Sequence, residues 1–287
     1  MGINWPASLT AEIAERRCII VLGAGASAGC VSELDRNTRP PNWPTLLRNA
    51  STRLNSAEDY AIVDSLINAE HYLDAAELVV ANANPADYAE FLREVFVEPR
   101  FSHSEIHEEV YRLDAKIVVT TNYDDIYETY CKSGKGASAY NVCRYYETHA
   151  INDVRSRLRV IMKVHGCMSN PQRTVLSRTQ YHVCKRDFPS YFNLLDSLFV
   201  TNTLLFIGCS LNDPDFQLML EGTNIKCPSE HPHYAVVEKG RPQALIDSMR
   251  VVHNVHCLEF AEMQYDEVVI GLRELNDKVA EWRSTHP

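Results

Sequence analysis

The chain has 287 residues, 45% hydrophobic and 23% charged, with a formal net charge of −10; such a composition suits a globular protein with a sizeable core and excludes global disorder. The acidic balance works against nonspecific binding to polyanions, whose affinity comes from phosphate neutralisation, so no direct nucleic-acid binding is expected. No apolar run approaches the ~18 residues of a membrane span, and the opening MGINWPASLTAEIAERR lacks a basic start followed by an apolar core, so a cytoplasmic protein without membrane attachment is expected.

Residues 7–17 read as a short amphipathic helix with Leu9, Ile13 and Ala14 on one side. Cys18 to Leu22 follow as a continuous apolar block, the pattern of a strand buried on both faces in a parallel sheet. The block breaks directly into a glycine turn. Gly23, Gly25 and Ala28 satisfy G-x-G-x-x-G/A, in which glycines allow a sharp turn and close backbone approach to a pyrophosphate at a helix start. The chain has only 11 glycines, against roughly 20 for an average composition, yet Gly23, Gly25 and Gly29 cluster here. A turn that binds nothing is the alternative.

Residues 31–44 are polar and carry Pro40, Pro41 and Pro44, which withhold backbone donors; they read as an irregular loop covering the ligand. A dehydrogenase would instead run into a second strand ending in a ribose-binding acid, which is not evident. Residues 45–97 switch to helical periodicity, with Ser56 as a cap and Asn84 capping ahead of Pro85. They form a small helical insertion. Ser102 with Glu105 reads as a capping box opening a helix through Leu113.

Residues 115–121 (AKIVVTT) form a second strand, running into Asn122, Tyr123, Asp124 and Asp125 and a helix through Tyr130. Further strands are expected at 140–144, 159–164, 203–207, 233–237 and 255–260, with helices at 189–201, 242–251 and 265–282. Asp213 and Pro214 are placed to open another helix. Strands alternating with helices imply an α/β fold: a Rossmann-like parallel sheet flanked by helices. Its residues are 1–44 and 102–287, and 45–101 form the inserted helical subdomain.

The nine cysteines are scattered, odd in number, and partly inside apolar runs (Cys18, Cys209, Cys257), which suits free thiols acting as small hydrophobes. No CxxC pair occurs, so neither a zinc ribbon nor a disulfide framework is implied.

Four strand ends carry unusual residues: GAGAS at 23–27, TTNYD at 120–124, KVHG at 163–166 and GCSLNDPDF at 208–216. Each has a plainer reading. Asn122 or Asp124 could cap a helix, His165 could be a core histidine bonded to a carbonyl, and Gly208 with Asp213 could form an ordinary turn. Four such turns at one edge of a parallel sheet point instead to a shared site.

With these motifs in this order, the sequence resembles the sirtuin superfamily, and its bacterial sirtuin-like NAD-consuming branch more closely than the protein deacylases. The resemblance implies that Gly23, Ala24, Gly25 and Ser27 hold the NAD pyrophosphate, and that Asn122 and Asp124 sit near the nicotinamide ribose. It further implies that His165 is the general base and that Gly208 and Ser210 bind the adenosine side. The zinc module of sirtuin deacylases is missing, no metal is implied, and nothing after His165 matches the peptide clamp of that branch.

The activity implied is hydrolysis of NAD, the substrate, to nicotinamide and ADP-ribose, with Asn122 orienting water or ribose, His165 accepting a proton and Asp124 stabilising the site or capping its helix. The resemblance also implies antiviral defence by NAD depletion, with no sensing domain expected in this chain. Control would come from a separate subunit, such as a ring-forming ATPase of the HerA type, or from homo-oligomerisation through the insertion or the last helix. The apolar stripe of that helix, Val268 to Trp282, could equally pack on its own sheet. NAD-dependent lysine deacylation, and an NAD or ADP-ribose sensor without turnover, stand as rival functions.

Overall fold

The computed structural model describes residues 2–54, 56–134, 140–211 and 214–286. Seven strands form one sheet: β1 (Cys18–Leu22), β2 (Ile117–Thr120), β3 (Tyr140–Arg144), β4 (Arg159–Lys163), β5 (Thr203–Ile207), β6 (His233–Glu238) and β7 (Val255–Phe260). Their order is β3-β4-β2-β1-β5-β6-β7, and every pairing is parallel. From β1 the chain builds outward to one side through β2, and from β5 it builds to the other. The carboxyl ends of β1 and β5 therefore flank the switch point where open α/β sheets leave a crevice.

Both faces of the sheet are covered, which explains the unbroken apolar run of β1. Ile19 and Val21 enter one core with α11 (Pro189–Thr201) and α12 (Pro214–Lys226). Cys18, Ile20 and Leu22 enter the other, with α1 (Ala7–Ala14), α7 (Glu105–Arg112), α8 (Ile126–Ser133) and α14 (Asp266–Thr285). Alternate side chains must point to opposite faces of a strand, so a strand covered twice has no polar position to spare.

Between β1 and β2 lie α2 (Ala24–Ser27), then α3 (Trp43–Ser51), α4 (Ala57–Asn68), α5 (Tyr72–Asn82) and α6 (Pro85–Phe96). The last four share a core of their own, built on Leu46, Leu47, Val63, Ile67, Val79, Phe91 and Leu92. The expected caps are present: Ser56 Oγ accepts from Asp59 N at 3.2 Å and Asn84 Oδ1 from Ala86 N at 2.8 Å. Remaining elements are α9 (Ala150–Arg155), a single 3-10 turn at Pro171–Arg173, α10 (Arg178–Asp187) and α13 (Gln243–His253). Among the described residues no helix is long and apolar enough to cross a membrane.

Several expectations need correction. The polar loop gives way to α3 at Trp43, because Asn42 caps it and Pro44 sits in the first turn, where a missing donor costs nothing. The helix before β2 is capped by Ser104 rather than Ser102: Ser104 N donates to His107 Nδ1 at 3.1 Å, while Ser102 Oγ reaches back to the Val31 carbonyl. The capping role given to Asp213 lies outside the described residues. In α14, Val268, Leu272, Leu275 and Val279 are buried against α1 and α7, so the stripe serves this chain's own core. Burial of each such side chain stabilises by about 1.5–3 kcal/mol, and that face is not available for assembly.

Candidate active site

The two turns that flank the switch point meet backbone to backbone. Gly23 N donates to the Ile207 carbonyl at 3.1 Å and Gly25 N to the Gly208 carbonyl at 2.9 Å. A Cβ on Gly23 would lie 2.6 Å from the Gly208 oxygen, and one on Gly25 would lie 2.9 Å from the same atom. Gly208, at φ +67°, would carry its Cβ 2.2 Å from Ala26 N. All three glycines are thus required by turn-to-turn packing. On the outer side of the turn Ala24, Gly25, Ala28 and Gly29 are exposed, which leaves that backbone open to a ligand.

Asn122 is joined to this corner. Its Nδ2 donates to the Gly23 carbonyl at 3.1 Å and lies 3.3 Å from Ser27 Oγ. Its own N–H is held by Thr120 Oγ1, which in turn donates to the Leu22 carbonyl, each at 3.1 Å. Ser27 is buried and donates to Asp124 Oδ2 at 3.1 Å. The Ser27 hydroxyl is therefore engaged within the protein, tying β1 to β2.

Asp124 is 5% exposed, with its second oxygen accepting from Ile126 N at 3.1 Å at the start of α8. Burial pushes its carboxyl above the ordinary carboxylate range, against the pull of the Lys163 ammonium. It holds the corner and opens the helix. The plainer reading, a bond at the start of α8, is met by the contact with Ile126.

Lys163, which sequence reasoning passed over, is among the largest fully buried side chains of the described residues. Its Nζ reaches Asp125 at 2.9 Å, Glu128 at 2.6 Å and the Asp124 carbonyl. Burial pulls its pKa down, but Glu128, Asp125 and Asp124 raise it more, and it stays a cation. A lone lysine inside the apolar run RVIMKV was the available signal, since a buried ammonium must be paired.

His165 follows β4. The register pairs Leu22 with Thr120, Thr120 with Lys163, and Leu22 with Ile207, so Asn122 and His165 each lie two residues past one common row. Adjacent strands sit about 4.8 Å apart. The His165 ring is 5% exposed and meets Tyr181 of α10 edge-on at 5.0 Å. Its carbonyl accepts from Val175 N at 3.0 Å, and Gly166, at φ +80°, lets the chain pass against the Arg173 carbonyl, which a Cβ would approach to 2.4 Å.

The helical insertion walls this edge. Phe96 of α6 meets Tyr123 edge-on at 5.8 Å, and Met168 and Leu176, from the chain after His165, are part of the insertion's core. Tyr123 Oη donates to the Val175 carbonyl at 2.6 Å. On the opposite side, Ser210 is exposed and its carbonyl accepts from Arg241 at 3.3 Å. A cavity of about 360 Å³ lined by Arg17, Asn202, His231 and His253 lies at the amino ends of β5 and β6, away from all of these residues.

Residues 116–256 match the model of the SIR2-like domain. Over that segment, just under half of its length, the chain is similar to the SIR2-like domain. The matched segment contains Asn122, Asp124, His165, Gly208 and Ser210, whereas the glycine turn and helices α3 to α6 precede it.

The chain is 28% identical over 235 residues to the NAD(+) hydrolase ThsA of Acinetobacter baumannii, covering 79% of this chain and 44% of that protein. It is 25% identical over 234 residues to NAD(+) hydrolase ThsA of Bacillus cereus, covering 80% and 45%. With defense-associated sirtuin 2 of Bacillus subtilis it shares 30% identity over 119 residues, 40% of this chain and 11% of that protein. The chain spans less than half the length of these curated relatives.

Proposed function

We propose that this chain cleaves the N-glycosidic bond of NAD to release nicotinamide and ADP-ribose, and that it acts by depleting NAD during antiphage defence. The observation that carries this reading is the bond from Asn122 to the glycine turn, at the sheet edge that His165 shares. The names of the relatives support it. The bond to cationic nicotinamide breaks once the ribose takes on positive charge, so positioning and electrostatics suffice and no metal is called for.

In this scheme the exposed backbone at Ala24 and Gly25 takes the pyrophosphate, and Gly208 and Ser210 take the adenosine side. Ser27 acts through Asn122 and Asp124, not by touching the ligand. Asn122 orients the ribose or the attacking water. A water oxygen bonds to the ribose C1′, the C1′–N bond breaks with its electron pair going to nicotinamide, and the water proton passes to His165 and then to solvent. Asp124 is a positioning residue, since both its oxygens are occupied.

The cytoplasm, where NAD is plentiful, is the proposed setting. A homo-oligomer formed outside the α14 stripe, or a HerA-type ring ATPase, would control activity. Incubation with NAD, alone and with that ATPase, followed by product analysis, tests the proposal. Nicotinamide and ADP-ribose in equal amounts, lost in His165→Ala, are expected; tight NAD binding with no product under every condition would mark a sensor instead.

A further inference from the structure

Away from the candidate active site, the edge strand β3 and the short helix α9 gather donors that the proposed chemistry leaves unused. Cys143 on β3, His149 just before α9 and Asp153 within it each offer one ligand atom, and these atoms all lie within 4.8 Å of one another. Cys143 is fully buried, the Asp153 side chain is 14% exposed and that of His149 is 49% exposed. The cluster is therefore closed at its sulfur end and open at its imidazole end. Glu147 lies beside the cluster, Oε2 3.5 Å from His149 Nε2, with its oxygens held by Arg144.

A second observation points into the same place from another element. The hydroxyl of Tyr191, on α11, is buried and lacks a hydrogen-bond partner among the described residues, and Cys143 and Glu147 are near enough for their charges to act on it. Leaving such a group unpaired costs roughly 1–3 kcal/mol. The His149–Asp153 ion pair, together with the bond from Asn141 to Asp153 at 2.9 Å, accounts for the two outer residues. It does not account for the orphaned hydroxyl, and the buried sulfur beside it makes a long contact with the Arg144 carbonyl at 3.8 Å.

We propose that Cys143, His149 and Asp153 bind a divalent transition-metal ion of the zinc class, with water as fourth ligand, as a structural clamp on the β3 edge. Thiolate, imidazole and carboxylate in fourfold coordination are the donor set that zinc prefers. On binding, the Cys143 S–H bond breaks, a metal–sulfur bond forms and the proton leaves to solvent. The thiolate then gives the Tyr191 hydroxyl an acceptor charge to face, a supporting contact around the ligands. The clamp would act close to the candidate base: Arg144, next to Cys143, donates through Nε to the sulfur of Cys167 at 2.9 Å, two residues beyond His165.

The test is titration of the metal-free chain with Co²⁺, followed by displacement with Zn²⁺, in a Cys227→Ser background that removes the exposed thiol. One equivalent of Co²⁺ per chain and a thiolate-to-cobalt charge-transfer band are expected, both lost in Cys143→Ser. His149→Ala changes a half-exposed side chain, so it keeps the fold and still loses stoichiometric binding. Tyr191→Phe should weaken Co²⁺ affinity about tenfold. No band in the parent protein, a band that survives Cys143→Ser, full binding by His149→Ala, or unchanged affinity in Tyr191→Phe would each overturn the proposal.

Discussion

The Asn122 amide donates to the Gly23 carbonyl at 3.1 Å, so the residue that follows β2 is fastened to the turn that follows β1. Asn122→Ala removes this donor from a partly exposed position, so the fold should survive. Nicotinamide release should fall by roughly 10²-fold or more, the scale of losing one well-placed donor at a reacting centre. Asn122→Asp should be worse for stability than Ala, because a carboxylate would face the Gly23 oxygen with no proton between them. Thermal melting and product release, measured side by side, separate the two effects; full activity in Asn122→Ala would remove this residue from the chemistry.

Gly208 is the position where the two turns leave least room. Gly208→Ala combines a left-handed φ of +67° with a Cβ set 2.2 Å from the backbone nitrogen of Ala26. Neither partner is a side chain that can swing away. The substitution should destabilise by more than about 3 kcal/mol, seen as a lowered denaturation midpoint or loss of soluble protein. Gly240→Ala is the control, since its φ of +101° is also left-handed but nothing lies within 4 Å of the added carbon; it should cost strain alone.

These contacts bear on how far the sequence reveals the site. The strands and the polar residues after them were legible, because a strand covered on both faces must be apolar throughout and then end abruptly, as Cys18–Leu22 does. The reason for the glycines was not. Gly23 and Gly208 meet across most of the chain, and a local pattern cannot tell a glycine kept open for a ligand from one kept small for another turn. Helix α10 was missed because RTQYHVCKRD buries only Tyr181 and Cys184, a stripe too thin to register as periodicity, and its signal was the capping box of Ser177 and Gln180. Lys163 was missed because strand reading assigns charges to solvent, whereas here the ammonium reaches acids on α8.

That buried lysine makes its own prediction. Lys163→Met fits the space but strands Glu128 and Asp125 beside it without a cation, and even against the pull of the Lys163 cation, burial with the neighbouring Asp125 pushes the Glu128 carboxyl up to about 7. Removing one partner of a buried ion pair costs about 3–5 kcal/mol. Adding Glu128→Gln to Lys163→Met should recover part of that loss, because it removes a charge left uncompensated. Urea denaturation of the single and double variants measures the difference, and a double variant no more stable than Lys163→Met would mean that the lysine acts mainly through Asp125 and the Asp124 carbonyl.

Two buried histidines should weaken the fold as pH falls. Burial, with the neighbouring His103 cation adding to it, lowers the pKa of His107 from 6.5 to about 4. Burial does the same for His233, again to about 4. Each ring accepts a backbone N–H through Nδ1, His107 from Ser104 and His233 from Leu204, both at 3.1 Å. The unfolded chain therefore binds protons that the folded chain refuses as pH falls below about 6.5. Stability contributed by the two neutral rings is complete above that value and is lost as pH falls towards about 4, by up to about 3 kcal/mol for each. His107→Gln and His233→Gln offer an oxygen acceptor that does not titrate, so each should flatten the fall in urea midpoint between pH 6.5 and 4, and the two together should flatten it most. An unchanged slope in the double variant would assign the acid sensitivity to the carboxylates instead.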